Sequence, residues 1–303
     1  MRRAILYVFS GTGNTKLIAE EFSKNFVKYD IETTIYMISS NFEDVPDPSD
    51  YDIIGFGYPV HAFNAPQLVV NFAKKLHSVL DKYTFIFKSS GEPLKLNDAS
   101  SNKLIKVLKE KGYAVSLERH IVMPYNMIFR HNDNMAKQLW LLGKQLVELY
   151  AEEIANEKKE KIKYPIYKRA HIYPFRIEWY GAKFNGKLYK VDMNKCIKCM
   201  KCVKTCPMHN ISYEDGKFKF GKDCIMCVRC SFNCPKNAIS IGLLNKWKVN
   251  GSYKLKQLEN NPLIKGDFIN SDTTGLYKKV YKTYVDESME KIEEHEVEEF
   301  MNE

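Results

Sequence analysis

The chain has 303 residues, of which 45% are hydrophobic and 13% aromatic, enough for real cores and long enough to divide into two modest domains. Charged residues make up 27%, and no apolar run reaches the ~18 residues of a membrane helix, so no membrane partner is expected. The net charge of +9 is uneven: basic and acidic residues balance over 1–155, basic residues lead by 5 over 156–185 and by 7 over 186–242, and acidic residues lead by 3 beyond.

At the N-terminus, Met1-Arg2-Arg3 leads into the apolar run Ala4 to Phe9. The run is short and lacks a small-residue cleavage site, so it reads as a first strand, not a secretory leader. Further strands are expected at Ile31 to Ile38, Tyr51 to Gly57, Tyr83 to Phe87 and Tyr113 to Val122. Helical spacing falls between them, over Thr15 to Tyr29, Pro66 to Leu80 and Ser101 to Lys111. In the second of these, Leu68, Val69, Phe72, Ala73, Leu76 and Leu80 form one stripe. A last helix, about Asp133 to Lys161, turns Leu139, Leu142, Leu146, Leu149 and Ile154 inward. Strands alternating with helices predict an α/β fold with a doubly wound, five-stranded parallel sheet.

Residues 156–185 break this pattern. They are basic and carry Tyr164, Tyr167, Tyr173, Phe175, Trp179 and Tyr180 without a period. An ordered linker whose aromatics pack on a domain junction is expected, although aromatics among Lys and Arg also suit single-stranded nucleic acid. A cysteine domain is assigned to 186–242 and an extension to 243–303. That extension ends in an acidic run at 286, 287, 290, 293, 294, 296, 298, 299 and 303, with a weak stripe of Ile292, Val297 and Phe300. It is expected to be a solvated helix; folding back on the basic cysteine domain and binding a partner are the alternatives.

All eight cysteines lie between Cys196 and Cys234. Such clustering points to metal ligation in a reducing compartment, hence the cytoplasm, and not to a disulfide scaffold. They fall at Cys196, Cys199, Cys202 and Cys206-Pro207, then at Cys224, Cys227, Cys230 and Cys234-Pro235. Each group is C-x₂-C-x₂-C-x₃-C-P. Three thiolates on one tight loop reach three corners of an iron–sulfur cube, and the fourth corner needs a Cys from elsewhere. A four-Cys zinc site would have no use for the third Cys of each group. His209 is read as a turn residue, since no ligand is missing.

These motifs, followed by Pro235-Lys-Asn-Ala-Ile-Ser-Ile, resemble bacterial two-cluster ferredoxins over about Lys187 to Gly242. The resemblance implies a small α+β domain with two [4Fe-4S] clusters and crossed ligation. Cys196, Cys199, Cys202 and Cys234 would hold one cluster; Cys224, Cys227, Cys230 and Cys206 would hold the other.

The first strand runs into Ser10-Gly11-Thr12-Gly13-Asn14-Thr15 and a helix. Small residues let the backbone curl, hydroxyls add donors, and the helix N-terminus favours an anion, so the loop suits a phosphate. Neither a Walker pattern nor G-x-G-x-x-G fits. The loop resembles the FMN phosphate site of flavodoxins. Two further loops stand where a flavodoxin holds the isoalloxazine ring: Tyr58-Pro59-Val60-His61-Ala62-Phe63 and Ser89-Ser90-Gly91-Glu92. In a 2-1-3-4-5 sheet these loops meet at one crevice. Tyr58, His61, Phe63 and Tyr125 are the aromatic candidates beside the ring.

Together, order and motifs resemble the flavodoxin–ferredoxin fusion family over residues 1 to about 242. The resemblance implies an electron carrier that relays electrons between FMN, two [4Fe-4S] clusters and redox partner proteins. No nicotinamide fingerprint is present. Lys195, Lys198, Lys201, Lys204, Lys222, Arg229 and Lys236 line the cysteine loops and are expected to steer an acidic partner. If the chain is an enzyme, it is a flavin-dependent reductase of a small oxidised substrate, with Tyr58, His61 or Glu92 supplying protons. A redox-responsive nucleic-acid binder is the remaining, disfavoured alternative.

Overall fold

A computed structural model describes residues 1–302, side chains 298, 299, 301 and 302 excepted. Glu298, Glu299 and Glu303 of the acidic run therefore lie outside the described side chains.

The first half is a five-stranded parallel sheet in the order β2-β1-β3-β4-β5. Its strands are β1 (Arg2–Val8), β2 (Ile31–Met37), β3 (Ile53–Pro59), β4 (Lys82–Ser90) and β5 (Tyr113–Val122). β1 and β3 are buried almost throughout, as a parallel sheet covered on both faces requires. Helices α1 (Asn14–Phe26), α2 (Gln67–Lys75), α3 (Asn102–Glu110) and α4 (Asp133–Ala155) supply that cover. On one face Phe22 and Phe26 of α1 and the Leu stripe of α4 pack against Leu6, Phe85 and Phe87. On the other, Leu68, Val69, Phe72 and Ala73 of α2 and Leu104 and Leu108 of α3 pack against Ile5, Tyr7 and Ile54. This is the flavodoxin-like doubly wound topology.

The stripe of α2 ends earlier than its period predicts. The helix stops at Lys75, Leu76 is still buried, and Leu80 is 92% exposed in the loop that leads to β4. α4 likewise ends at Ala155, and the Lys-rich stretch that follows is not helical.

Beyond it come α5 (Ile166–Ile172) and α6 (Glu178–Gly186), and the end of α5 with the turn that joins the two helices lies on the 60s loop. Asn64 donates to the Ile172 carbonyl at 3.1 Å and accepts from Arg176 Nε at 3.0 Å, and the Phe63 and Phe175 rings meet edge-on at 4.8 Å. The expected packing of the linker aromatics is only partly met. Tyr167, Tyr173, Tyr180 and Phe184 are more than half exposed, because the short helices offer one narrow inward face.

The cysteine domain is small. β6 (Lys190–Val191) pairs with β9 (Ile239–Ser240), and β7 (Ile211–Glu214) forms a hairpin with β8 (Lys217–Phe220). Two single-turn helices, α7 (Lys201–Lys204) and α8 (Arg229–Phe232), follow the cysteine loops.

The extension is the largest departure from expectation. Its first residues stay on the cysteine domain, where Lys248 donates to Ile239 O and Asn250 to Ser231 O and Cys234 O; from Tyr253 on it returns to the sheet domain, and the acidic helix packs there. Leu255 and Leu258 of α9 (Leu255–Glu259), with Tyr253, Ile269, Tyr281, Val285 and Ile292, join the core beneath α1 and α4. The stripe of the C-terminal helix (Thr283–Asn302) is therefore Val285, Ser288 and Ile292, while Val297 and Phe300 are exposed. Among the described residues no helix is long and apolar enough to cross a membrane.

Candidate functional site

The C-terminal ends of β1, β3, β4 and β5 open onto a cavity of about 440 Å³, a size typical of cofactor pockets. From the sheet come Ser10, Gly11, Thr12, Asn14, Thr15, Pro59, Val60, His61, Ala62, Phe63, Ser89, Ser90, Gly91 and Glu92. The three loops singled out in the sequence thus converge.

The phosphate loop is shaped by its backbone. Gly13 caps α1 with φ +111°, a left-handed conformation that glycine adopts without strain. Its N–H donates to Ser10 Oγ at 3.2 Å. The first carbonyl-bound amide of the helix is Leu17 N–H, on Gly13 O at 3.0 Å. The preceding amides and the helix dipole are left to favour an anion. Thr15 Oγ1 lies 2.8 Å from Ser89 Oγ and ties this loop to the end of β4. Gly13 itself serves through its conformation and does not line the cavity.

Tyr58 does not reach the cavity. Side chains alternate along β3, so Tyr58 points into the α2/α3 face, fully buried, with its hydroxyl on Ser100 and Ser101. His61 does line it, in a tight turn where its N–H and carbonyl each pair with Asn64 at 2.9 Å. Burial pushes its imidazole down to about 4, so it is neutral at pH 7. Glu92 is half-buried, and desolvation raises its carboxyl although the Tyr125 hydroxyl donates to it at 3.4 Å.

Part of the wall was not expected. Met123 to Ile128 close one side, and there Asn126 donates to Thr12 Oγ1 at 2.7 Å while its own Oδ1 is buried without a partner among the described residues. Of these only Tyr125 was singled out. Glu178 of α6, Met226, Cys227, Val228, Leu244 and Trp247 complete the enclosure. Cys227 was legible as a motif cysteine, but its place on this wall and that of the others carry no local signal, because all of them lie far along the chain from the three sheet-end loops. Desolvation lifts the Glu178 carboxyl to about 7.

The cysteine domain is therefore a wall of this cavity. Arg229 fastens it: its guanidinium donates to Ser10 O at 2.6 Å, Gly11 O at 3.3 Å and Thr205 O at 2.9 Å. A Cβ on Gly11 would stand 2.5 Å from the Cys227 carbonyl oxygen, so only glycine admits this approach. Arg229 is thus a clamp between domains, not one of the docking charges it was grouped with. Lys195, Lys198, Lys201, Lys204, Lys222 and Lys236 are exposed.

The thiols fall into two sets. Cys224, Cys227 and Cys230 feel one another and Cys206 electrostatically, whereas Cys202 feels Cys196 and Cys199. Cys196, Cys199, Cys202 and Cys234 line a second hollow with Ile197, Phe218 and Pro235, and Cys230 of the first set borders it too. The fourth cysteine of each motif thus sits with the other motif's triplet. Burial pushes Cys227 up to about 11 and Cys224 up to about 12, a cost that a metal removes by binding the thiolate. Among the described residues no three His, Cys, Asp or Glu are placed to hold a single metal ion; corner ligation of a cube asks for no such convergence. His209, with φ +49° and its N–H on Cys206 O, is a turn residue.

Residues 192–239 match the 4Fe-4S dicluster domain family. A sheet of flavodoxin-like topology in the first half thus precedes a segment that matches the 4Fe-4S dicluster domain family. Solved structures similar to its first half include a short-chain flavodoxin associated with a non-canonical PDU bacterial microcompartment, at 17% identity, covering 52% of this chain and 98% of that one with a TM-score of 0.39. A Streptococcus pneumonia TIGR4 flavodoxin shares 17% identity over 51% of this chain and 99% of its own, at a TM-score of 0.37. Oxidised flavodoxin 1 from Bacillus cereus shares 19% over 49% and 97%, at 0.34. No curated protein matches the chain. The match to the 4Fe-4S dicluster domain family supports a redox role.

Proposed function

We propose that the chain is an electron relay holding FMN in the sheet-end cavity and two [4Fe-4S] clusters in the cysteine domain. Cys206, Cys224, Cys227 and Cys230 hold the cluster beside the cavity; Cys196, Cys199, Cys202 and Cys234 hold the other. The observation that carries this reading is Cys227, at once a member of one thiol set and part of the cavity wall.

The residues present fit the flavin. The phosphate loop offers hydroxyls, unpaired first-turn amides and a helix N-terminus, and the buried Oδ1 of Asn126 on the same wall lacks a partner among the described residues. When bound, FMN supplies transfer of electrons singly or in pairs, and the clusters supply transfer of one at a time. The protein excludes water with Trp247, Leu244 and Met127, and it holds a proton on Glu178 that can be gained or released near neutral pH.

The second cluster site lies nearer the surface, with Cys199 and Ile197 exposed and the exposed Lys201 and Lys236 lining the hollow. We assign this face to docking of an acidic redox partner. Reductase action on a small oxidised substrate stays as a second reading, favoured by the Glu178 carboxyl on the cavity wall.

Anaerobic purification with iron, sulfide and flavin quantitation tests the cofactor content. The relay predicts about eight iron, about eight sulfide and about one FMN per chain. Full iron without flavin would leave the cavity as a small-ligand or docking site and end the relay reading.

A further inference from the structure

The segment that enters the cysteine domain carries one side chain whose polar atom nothing accounts for. Tyr189 is 5% exposed, and its hydroxyl has no hydrogen-bond partner among the described residues. Its ring is held by apolar neighbours: Val228, Ile239 and Ile241 surround it, and Phe220 meets it edge-on at 5.6 Å. The backbone fixes it as well, since its N–H donates to Gly186 O at 3.2 Å. At Gly186 a Cβ would stand 2.1 Å from Cys224 Cβ, so this strand start is pressed against the cysteine loop. The ionisable groups that act on the Tyr189 hydroxyl are Cys224, Cys230 and Cys227.

For filling apolar space a phenylalanine would serve better. Burying a hydroxyl without an acceptor costs free energy, and an orphaned buried group calls for an unseen partner. Gly186, three residues before Tyr189, abuts Cys224, and Cys224 and Cys230 of the set beside the flavin cavity pack on the apolar cluster that holds the Tyr189 ring. A cluster ligated there presents thiolate and sulfide sulfurs, which accept hydrogen bonds.

We propose that the Tyr189 hydroxyl donates a hydrogen bond to a sulfur of the cluster held by Cys206, Cys224, Cys227 and Cys230, and thereby raises that cluster's reduction potential. The inference rests on the two-cluster reading above. Its direction follows from charge: the reduced cluster is the more negative state, so a fixed donor stabilises it more than the oxidised state. The donor is assigned to the cluster beside Gly186 and Cys224, so the other cluster, ligated by Cys196, Cys199, Cys202 and Cys234, is expected to keep its potential. Tyr189 therefore separates two centres that share one ligand pattern.

The test is a redox titration of the full-length protein followed by electron paramagnetic resonance, on wild type, Tyr189→Phe and a protein with 3-fluorotyrosine at position 189. Tyr189→Phe is expected to keep its iron and move one centre to lower potential, with the other unmoved. The fluorinated side chain, a stronger donor of nearly the same shape, is expected to move the same centre the opposite way. A loss of packing alone would not produce opposite shifts, so the fluorinated protein decides the matter even if Tyr189→Phe loses iron. Unmoved potentials with full iron, or equal shifts of both centres, would overturn the proposal and leave the clusters standing. A wild-type protein without iron would instead remove the two-cluster reading, and this proposal with it.

Discussion

Gly11 shows how much one missing atom can decide. Its backbone is approached so closely by Cys227 that Gly11→Ala forces either the phosphate loop or the cysteine loop to shift. Flavin affinity is expected to fall at least about tenfold, a loss of ~1.4 kcal/mol, as read by flavin fluorescence titration. His131 is a second case. It is 3% exposed, its Nδ1 accepts the Tyr125 N–H at 3.3 Å, and burial lowers it to about 4. Its folded value lies below the unfolded value of about 6.5, so the stability it contributes is complete above 6.5 and is lost as pH falls toward 4. Between pH 7.5 and 5 the wild type is expected to lose ~2 kcal/mol on this account. Denaturant unfolding should show that loss shrink in His131→Gln. Cysteine spacing and the phosphate loop were legible in the sequence because each encodes its chemistry within a dozen consecutive residues. Gly11 was legible as a small residue in a turn; its contact with Cys227, 216 positions away, was not.

Among the elements, the strands were read to within a few residues, β5 to the residue, while α2 and α4 were drawn five and six residues too long at their C-terminal ends. The C-terminal helix was misjudged, because Val285 and Ile292, with Tyr281 in the turn before it, join the core that α4 covers. Tyrosines carry part of the attachment: the Tyr281 hydroxyl donates to Gly91 O at 2.9 Å, Tyr284 accepts the Val122 N–H at 3.1 Å, and the Tyr253 hydroxyl donates to Tyr125 O at 2.5 Å. Periodicity in aliphatic residues does not reveal such bonds. The extension thus braces two of the cavity loops. Deleting residues 275–303 is expected to cost of the order of 5 kcal/mol, from three core side chains at ~1.5–3 kcal/mol each. Hydrogen exchange should show the amides of residues 123–131 losing protection while those of β1 keep theirs.

For the whole molecule, fusion matters because the cysteine domain is docked, not tethered. Arg229, the Ser40 N–H on Pro207 O at 2.7 Å and the Ile128 N–H on Trp247 O at 2.8 Å hold it over the cavity. A tether alone raises effective concentration; docking also fixes which thiol set lies next to the flavin site. Composition gave two domains, and nothing in it gave their orientation, which depends on a handful of long-range polar contacts. The basic face around Cys199 belongs to this scale as well. Electron transfer to an acidic partner is expected to slow as salt rises from 0.01 to 0.5 M, as the Debye length shrinks from ~30 Å to a few ångströms. A rate indifferent to salt would remove the assigned docking face.

The central claim is that flavin and clusters exchange electrons within one chain, and flash reduction of the flavin with transient absorbance at the cluster bands tests it most directly. The account predicts a cluster reduction rate independent of protein concentration, and slower in Arg229→Ala at unchanged iron and flavin content. A rate that grows in proportion to protein concentration would mean that electrons move only by collision, and would contradict the account.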